Sequence, residues 1–367
     1  MRILHLNSAN GWAGGEVHVF LLCQQLIKAE HTVILACRPN SEINQRFRNE
    51  KMAVFNLSLK GAGDMYSAYR LAAYCKENNI EIIHAHLGRD YWLAFAAKQL
   101  YPQIKIIFTR HLLFPLKQSF MHKIMHRSAD RIIAVSKAVE KVIEEAGFVD
   151  QSKLTTIYNG IDVDKFKRAS SGMLRHELGL TAAIPIIGIV GHVSEHKGQD
   201  IVIRSIPSII KMLPDAKIVI VGDDFQQGTY IQQLKDLAYK IGVADHVIFL
   251  GPRNDIPEIM KDLDAFVLAS HNEPFGLVIV EAMAAGVPVV VTRAGGALEI
   301  VEHGINGFLV PVGDIAILSE YVCKIVKDKS LSVTISKNAI LRVQSLFSIE
   351  IMVEKTIEVY REVLSHK

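Results

Sequence analysis

Short, nearly continuous apolar runs recur along the chain, and stretches with helical periodicity fill the spaces between them. In the first half the runs are RILHL, TVILAC, AVFNL, IEIIHAH, KIIFT, RIIAVS and LTTIY, with helical patterns such as VHVFLLCQQLIKA and SAYRLAAYCKENN between them. A strand that is apolar on both faces suits a parallel sheet covered on both sides. Its alternation with helices implies βαβ units with right-handed crossovers, an α/β fold. A polar, irregular stretch then runs from residue 161 to 184, and the pattern restarts with IIGIVG, KIVIVG, HVIFLG, AFVLAS, VPVVVT and GFLVP. The break predicts a domain boundary near residues 163–182. The tail SIEIMVEKTIEVYREVLSHK reads as an amphipathic helix with Ile351, Val353, Ile357, Val359, Tyr360 and Val363 near one stripe. Two doubly wound domains in tandem predict a cleft, and such sheets bind ligands outside the carboxyl ends of their strands.

Length agrees with this division, because 367 residues exceed what one core usually supports. A formal net charge of +3 is too mild to make nucleic acid the expected partner. The start, MRILHLNS, enters a strand pattern without the apolar core of a signal peptide, and no apolar run has the length of a membrane span. A cytoplasmic protein is the expectation. The four cysteines form no CxxC pair and read as buried, reduced thiols.

The candidate chemistry begins with HNEPFGLVIVEAMAAGVPVVV, residues 271–291. Glu281 lies in an otherwise apolar helical pattern, where an unpaired buried charge is costly, so it needs a salt-bridge partner or a ligand. Several predicted strand ends carry glycine beside a helix start: Gly14-Gly15, Lys197-Gly198, the EPFG turn and Gly295-Gly296. Helix N-termini present unpaired N–H groups and a partial positive charge, and glycine lets a ligand approach the backbone. Any one such turn is ordinary βα geometry. Four at the same kind of strand end favour a phosphate-bearing ligand. None fits GxxxxGK[ST], and no GxGxxG follows the first strand, which counts against ATPase and nicotinamide-dehydrogenase readings.

Together GHVSEHKG, HNEPFGLVIVEAMAAGVPVVVT and GGALEIVEHGINGFLV resemble the C-terminal domain of retaining, family-4 glycosyltransferases with the GT-B fold. GWAGGEVHVFLLCQQL, IEIIHAH, RIIAVSKAVEKVI and IYNGIDVDKF resemble the N-terminal domain of that family, in the same order. The resemblance implies two Rossmann-like domains facing a cleft: residues 1–165 on the acceptor side, joined by a returning helix at 349–367, and residues 166–348 on the nucleotide-sugar side. It implies transfer of a sugar, in the hexosyltransferase class, from a nucleotide diphosphate sugar, most commonly a UDP-sugar, to a glycan or lipid-linked acceptor. No cofactor and no metal are expected. Glu281 would accept hydrogen bonds from the ribose hydroxyls, and Glu273 would contact the transferred sugar or its environment near the phosphate. The amides of Phe275, Gly276 and Leu277 would receive phosphate or sugar oxygens, Gly14 and Gly15 would bring the first domain's backbone close to the donor, and Lys197 would neutralise the diphosphate. One departure is His192, which stands where the family commonly has an arginine; a histidine can be neutral near pH 7, so it is a weaker candidate for the clamp.

In FTRHLLF, His111 just follows a strand, where the family often has a histidine that contacts the sugar or positions the acceptor. His84 and His86 also end a strand, with no further ligand to suggest a metal. Glu16 is a candidate helix cap, and Asp223-Asp224 read as turn residues. In PLKQSFMHKIMHRSAD the helical spacing puts Leu116, Phe120, Ile124 and Met125 on one side and Lys117, Lys123, His126 and Arg127 on much of the rest. Such a basic amphipathic surface at 115–127 is an expected contact with the inner face of a membrane, although a core face plus a solvated face explains the same pattern. Two other functions share much of this evidence: a non-hydrolysing sugar-nucleotide 2-epimerase and a non-catalytic nucleotide-sugar-binding module.

Overall fold

The computed structural model describes residues 1–61, 63–224 and 228–365. The chain divides into two compact units, Met1–Gly160 with Ile349–Lys367, and Ile161–Ser348. The first unit holds seven parallel strands: β1 (Arg2–Asn7), β2 (Thr32–Cys37), β3 (Ala53–Asn56), β4 (Ile82–Ala85), β5 (Lys105–Arg110), β6 (Arg131–Ala134) and β7 (Leu154–Thr156). Their order in the sheet is β3-β2-β1-β4-β5-β6-β7. Chain direction across the sheet therefore switches between β1 and β4, where the crevice of a doubly wound sheet opens. In this register His5 stands beside His84.

The C-terminal helix Ile349–Ser365 belongs to this first unit. Its Met352, Val353, Val359, Tyr360 and Val363 share a core with Val19, Leu22 and Leu26 of the helix Gly14–Lys28 and with Ile3 of β1. Ile351 and Ile357, expected on the buried stripe, lie half-exposed at its margin, while Ile349 and Thr356 are buried. Residues 366 and 367, assigned to this helix from the sequence, lie outside the described residues.

The second unit holds six parallel strands: β8 (Ile186–Val190), β9 (Lys217–Val221), β10 (Val247–Gly251), β11 (Ala265–Leu268), β12 (Val289–Thr292) and β13 (Phe308–Val310). The order is β10-β9-β8-β11-β12-β13, so the switch falls between β8 and β11. The loops leaving those two strands carry GHVSEHKG and SHNEPFG. The first unit ends at Gly160 rather than at residue 165. Ile161 donates its N–H to Phe347 O at 3.0 Å, and Phe166, on the short helix Val163–Arg168, is buried within the second unit. All four cysteines are buried and free.

Candidate active site

In the second unit, β8 ends in a loop that makes one 3-10 turn, Glu195–Lys197, before the helix Gln199–Met212. Gly198 joins them with φ 70°, and a Cβ there would stand 2.1 Å from Ala269 O. Only glycine fits. That close approach sets Lys197 beside the loop after β11, where its Nζ donates to Glu273 Oε2 at 2.6 Å. Ser270 Oγ donates to the same oxygen at 3.3 Å. Glu273 is buried, so its charge is carried by this lysine and hydroxyl.

Gly276, at φ 112°, turns the chain into the helix Leu277–Ala284. Leu277 opens that helix, and its amide has no acceptor within it. Phe275 buries its ring edge-to-face against Phe347 and so anchors the turn. The Gly295-Gly296 turn packs directly on it: Gly296 N donates to Glu273 O at 2.8 Å, and a Cβ on Gly296 would stand 2.6 Å from Phe275 Cα. Two of the glycine turns are thus one built surface, with Glu273 at its centre.

Glu281 sits one turn along the helix from Leu277. The residue is half-buried; its carboxylate has no hydrogen bond or ion pair among the described residues, and desolvation pushes it from 4.5 up to about 7, with Lys165 pulling the other way. The two acids therefore differ in kind. Glu273 is satisfied by Lys197; Glu281 is not satisfied by protein.

His192 is half-buried and lies near Asp223, and burial keeps its imidazole below the usual histidine range. A neutral ring there does not replace an arginine's permanent charge, so Lys197 is the cation this loop provides. Asp224 carries helix-capping bonds, its Oδ2 accepting from Ile231 N at 2.9 Å and its Oδ1 from Gly228 N. The sequence also has two Asp-x-Asp spacings, a pattern that can hold a divalent ion on a diphosphate. Asp162 caps the helix Val163–Arg168 through Lys165 N, while Asp262 accepts from the amides of Gly172, Leu174 and Arg175 and Asp264 pairs with Arg175. Asp162 and both aspartates of the second spacing are thus in structural use, while Asp164 is exposed.

In the first unit, Gly14 and Gly15 open the helix Gly14–Lys28, and Glu16 reaches back to accept from Ala13 N at 3.1 Å, a helix-start cap. Gly14 is exposed and Gly15 half-buried, with an added Cβ at Gly15 reaching His111 only at 3.9 Å. His111 is not a solvated loop residue. It joins His5, His18, His84 and His86 in a cluster at the ends of β1, β4 and β5. Burial holds all five rings below the usual histidine range, His5 at about 3 and His18 at about 4. His84 is structural, its Nδ1 meeting the Tyr360 hydroxyl and its Nε2 the Thr109 hydroxyl, both at 2.6 Å. His5 and His18 escaped notice in the sequence. The signal was present in the RILHL run and in a histidine three residues beyond Gly15, but it needed the β1–β4 adjacency to be read.

The segment at 115–127 is corrected in part. Its helix runs only over Phe120–Arg127, because Ser119 caps it and Pro115 precedes it. Leu116 and Met125 are buried as expected, but Phe120, in the first turn, is 76% exposed, and His126, placed on the basic face, is buried. The exposed apolar residues are Leu112, Phe114, Phe120 and Met121, beside Lys117. Among the described residues no helix is long and apolar enough to cross a membrane.

Two family models match, Glycosyltransferase Family 4 over residues 12–165 and Glycosyl transferases group 1 over residues 174–342. The chain is 29% identical over 310 residues to N-acetyl-alpha-D-glucosaminyl L-malate synthase of Bacillus anthracis, covering 82% of this chain and 80% of that one. It is 27% identical over 356 residues to UDP-Gal:alpha-D-GlcNAc-diphosphoundecaprenol alpha-1,3-galactosyltransferase of Escherichia coli, covering 91% and 89%. The crystal structure of HepE from Anabaena in complex with UDP and glucose superposes with a TM-score of 0.85 at 25% identity, covering 99% of this chain and 100% of that one. The two matched models, one for each Rossmann-like unit, and these relatives identify the chain as a family-4, group 1 glycosyltransferase, an enzyme with the GT-B fold.

Proposed function

We propose that the enzyme transfers a hexosyl group from a UDP-sugar to a glycan or lipid-linked acceptor, with retention of anomeric configuration and without a divalent ion on the diphosphate. The observation that carries this reading is Glu281, a carboxylate on the helix of the EPFG turn that the protein leaves without a partner. Ribose hydroxyls supply the missing donors. The names of the E. coli relative and of the HepE complex support UDP as the nucleotide.

Breaking the bond between the anomeric carbon and the diphosphate leaves negative charge on the phosphate and positive charge on the sugar. Preorganised donors aimed at the developing charge lower that barrier. Lys197 and the Leu277 and Gly276 amides fill this role, and Glu273 holds the lysine in place through its 2.6 Å bond. In the retaining reaction the acceptor oxygen bonds to the anomeric carbon on the face the diphosphate leaves. The acceptor's proton passes to the departing phosphate oxygen. His111 lies on the acceptor side of this scheme.

The test incubates the protein with a panel of nucleotide sugars and acceptors, without added Mg²⁺ or Mn²⁺. UDP release matched by an α-linked product supports the proposal. A β-linked product refutes retention, dependence on Mg²⁺ or Mn²⁺ refutes the metal-free diphosphate site, and binding without turnover across the panel favours the non-catalytic module. For a lipid-linked acceptor, Leu112, Phe114, Phe120, Met121 and Lys117 form the expected membrane contact. The protein should float with anionic vesicles and stay in the pellet after Phe114→Ser with Phe120→Ser.

A further inference from the structure

The histidine cluster of the first unit contains more unsatisfied nitrogen than a neutral core requires. Buried polar atoms nearly always have a partner, and an orphan costs about 1–3 kcal/mol. Here neither ring nitrogen of His18 closes a hydrogen bond, although the Asn159 carboxamide lies close to the ring, and His86 Nδ1 and His111 Nε2 are unpartnered. These three rings offer one nitrogen each within 4.8 Å of one another. Their centroids are 4.9 Å apart for His18 and His111, 5.7 Å for His18 and His86, and 5.8 Å for His86 and His111. Three imidazoles around a tetrahedral ion at 2.0–2.1 Å from each nitrogen place their centroids roughly 5 Å apart. The rings already stand close to that arrangement.

We propose that His18, His86 and His111 bind one divalent transition metal ion of the zinc type. Imidazole suits such ions, and three protein ligands leave a fourth position for water or a substrate oxygen.

The surroundings match what metal-bound histidines need, since such a ring usually donates its other N–H to an oriented acceptor. His86 Nε2 lies 3.0 Å from His5 Nδ1. With the proton on His86 Nε2, donated to His5, the His86 Nδ1 lone pair is left for the ion. His18 lies beside the carboxamide of Asn159, whose Oδ1 is buried and makes no closed bond. Binding through one His18 nitrogen leaves the other N–H for that oxygen. One ion thereby partners a nitrogen on each of the three rings and leaves the His18 N–H, which a neutral ring carries in any case, directed to the Asn159 oxygen. The trio of His5, His84 and His86 is the weaker site, because both nitrogens of His84 are already engaged.

The ion shares His111 with the acceptor side of the proposed reaction, so it is tested by binding and not by activity. Untagged full-length protein, stripped with a chelator, is titrated with Zn²⁺ by calorimetry and with Co²⁺ by visible absorption. The expected result is one ion per chain and the absorption bands of four- or five-coordinate Co²⁺. His18→Ala and His111→Ala should each weaken Zn²⁺ binding by at least about 100-fold, and Asn159→Ala by about tenfold or more. His176→Ala, at an exposed histidine of the second unit, should not alter it. Should His18→Ala fail to fold, His111→Ala decides, because that ring is only half-buried. Failure of the wild type to bind Zn²⁺ more tightly than about 0.1 mM, or binding undiminished in the folded variants, overturns the proposal.

Discussion

At the scale of single residues, the two acids of the second unit make opposite predictions. Burial raises Glu281 from 4.5 to about 7, so the folded chain holds this proton more tightly than the unfolded one. Stability present below about pH 4.5 is therefore lost as pH rises through about 7. Glu281→Gln should remove that slope. Its melting temperature should equal the wild type's at pH 4.5, exceed it increasingly up to about pH 7, and hold a constant advantage above. Binding should move the other way. Hydrogen bonds from ribose to a carboxylate are worth about 1.5–3 kcal/mol, so UDP affinity at pH 8 should fall about 10- to 100-fold in the variant. An unchanged UDP affinity would remove Glu281 from the ribose site. For Lys197→Ala the expected loss is in kcat, about 100- to 1000-fold, because the cation acts on charge that develops in the transition state. Glu273, left buried without its cation, should also lower stability. Rescue of stability but not turnover by Lys197→Ala with Glu273→Gln would separate the two effects. The sequence identified Lys197, Glu273 and Glu281 as chemistry but not their unequal partners, since pairing depends on Gly198 letting one loop touch another.

At the scale of elements, the strands were legible because both-face burial leaves a continuous apolar signature, and every run named from the sequence falls on an observed strand. Two things were not legible: which strands are neighbours, and where short helices begin. The first hid the approach of His5 to His84, a matter of β1 lying beside β4. The second misplaced Phe120, because helical spacing from Leu116 to Met125 counts residues that precede the Ser119 cap as if they were helical. The C-terminal helix shows how a polar bond can fix an otherwise apolar contact. The Tyr360 hydroxyl is buried against His84 Nδ1 at 2.6 Å, so Tyr360→Phe keeps the ring but strands that nitrogen. The expected cost is about 1–3 kcal/mol, read as a lower urea midpoint for the first unit. A variant as stable as the wild type would mean the helix is held by its apolar face alone.

At the scale of the whole molecule, each unit has its own sheet and core, and the proposed ligands divide between them: the nucleotide on the second unit, the metal ion on the first. The distribution of tryptophan makes this division measurable. The chain has two tryptophans, Trp12 and Trp92, and both belong to the first unit. Intrinsic tryptophan fluorescence therefore reports unfolding of that unit, while calorimetry reports both. A ligand that binds only the native state stabilises what it binds by RT ln(1 + [L]/Kd), about 2.7 kcal/mol at a hundredfold excess over Kd. UDP at that excess should raise a calorimetric transition and leave the tryptophan midpoint in place, whereas Zn²⁺ on the chelator-stripped protein should raise the tryptophan midpoint. Glu281→Gln should blunt the first response and His111→Ala the second, each leaving the other intact. A tryptophan midpoint that rises with UDP alone would mean that the first unit, with Gly14 and Gly15 the expected residues, also takes part in holding the nucleotide.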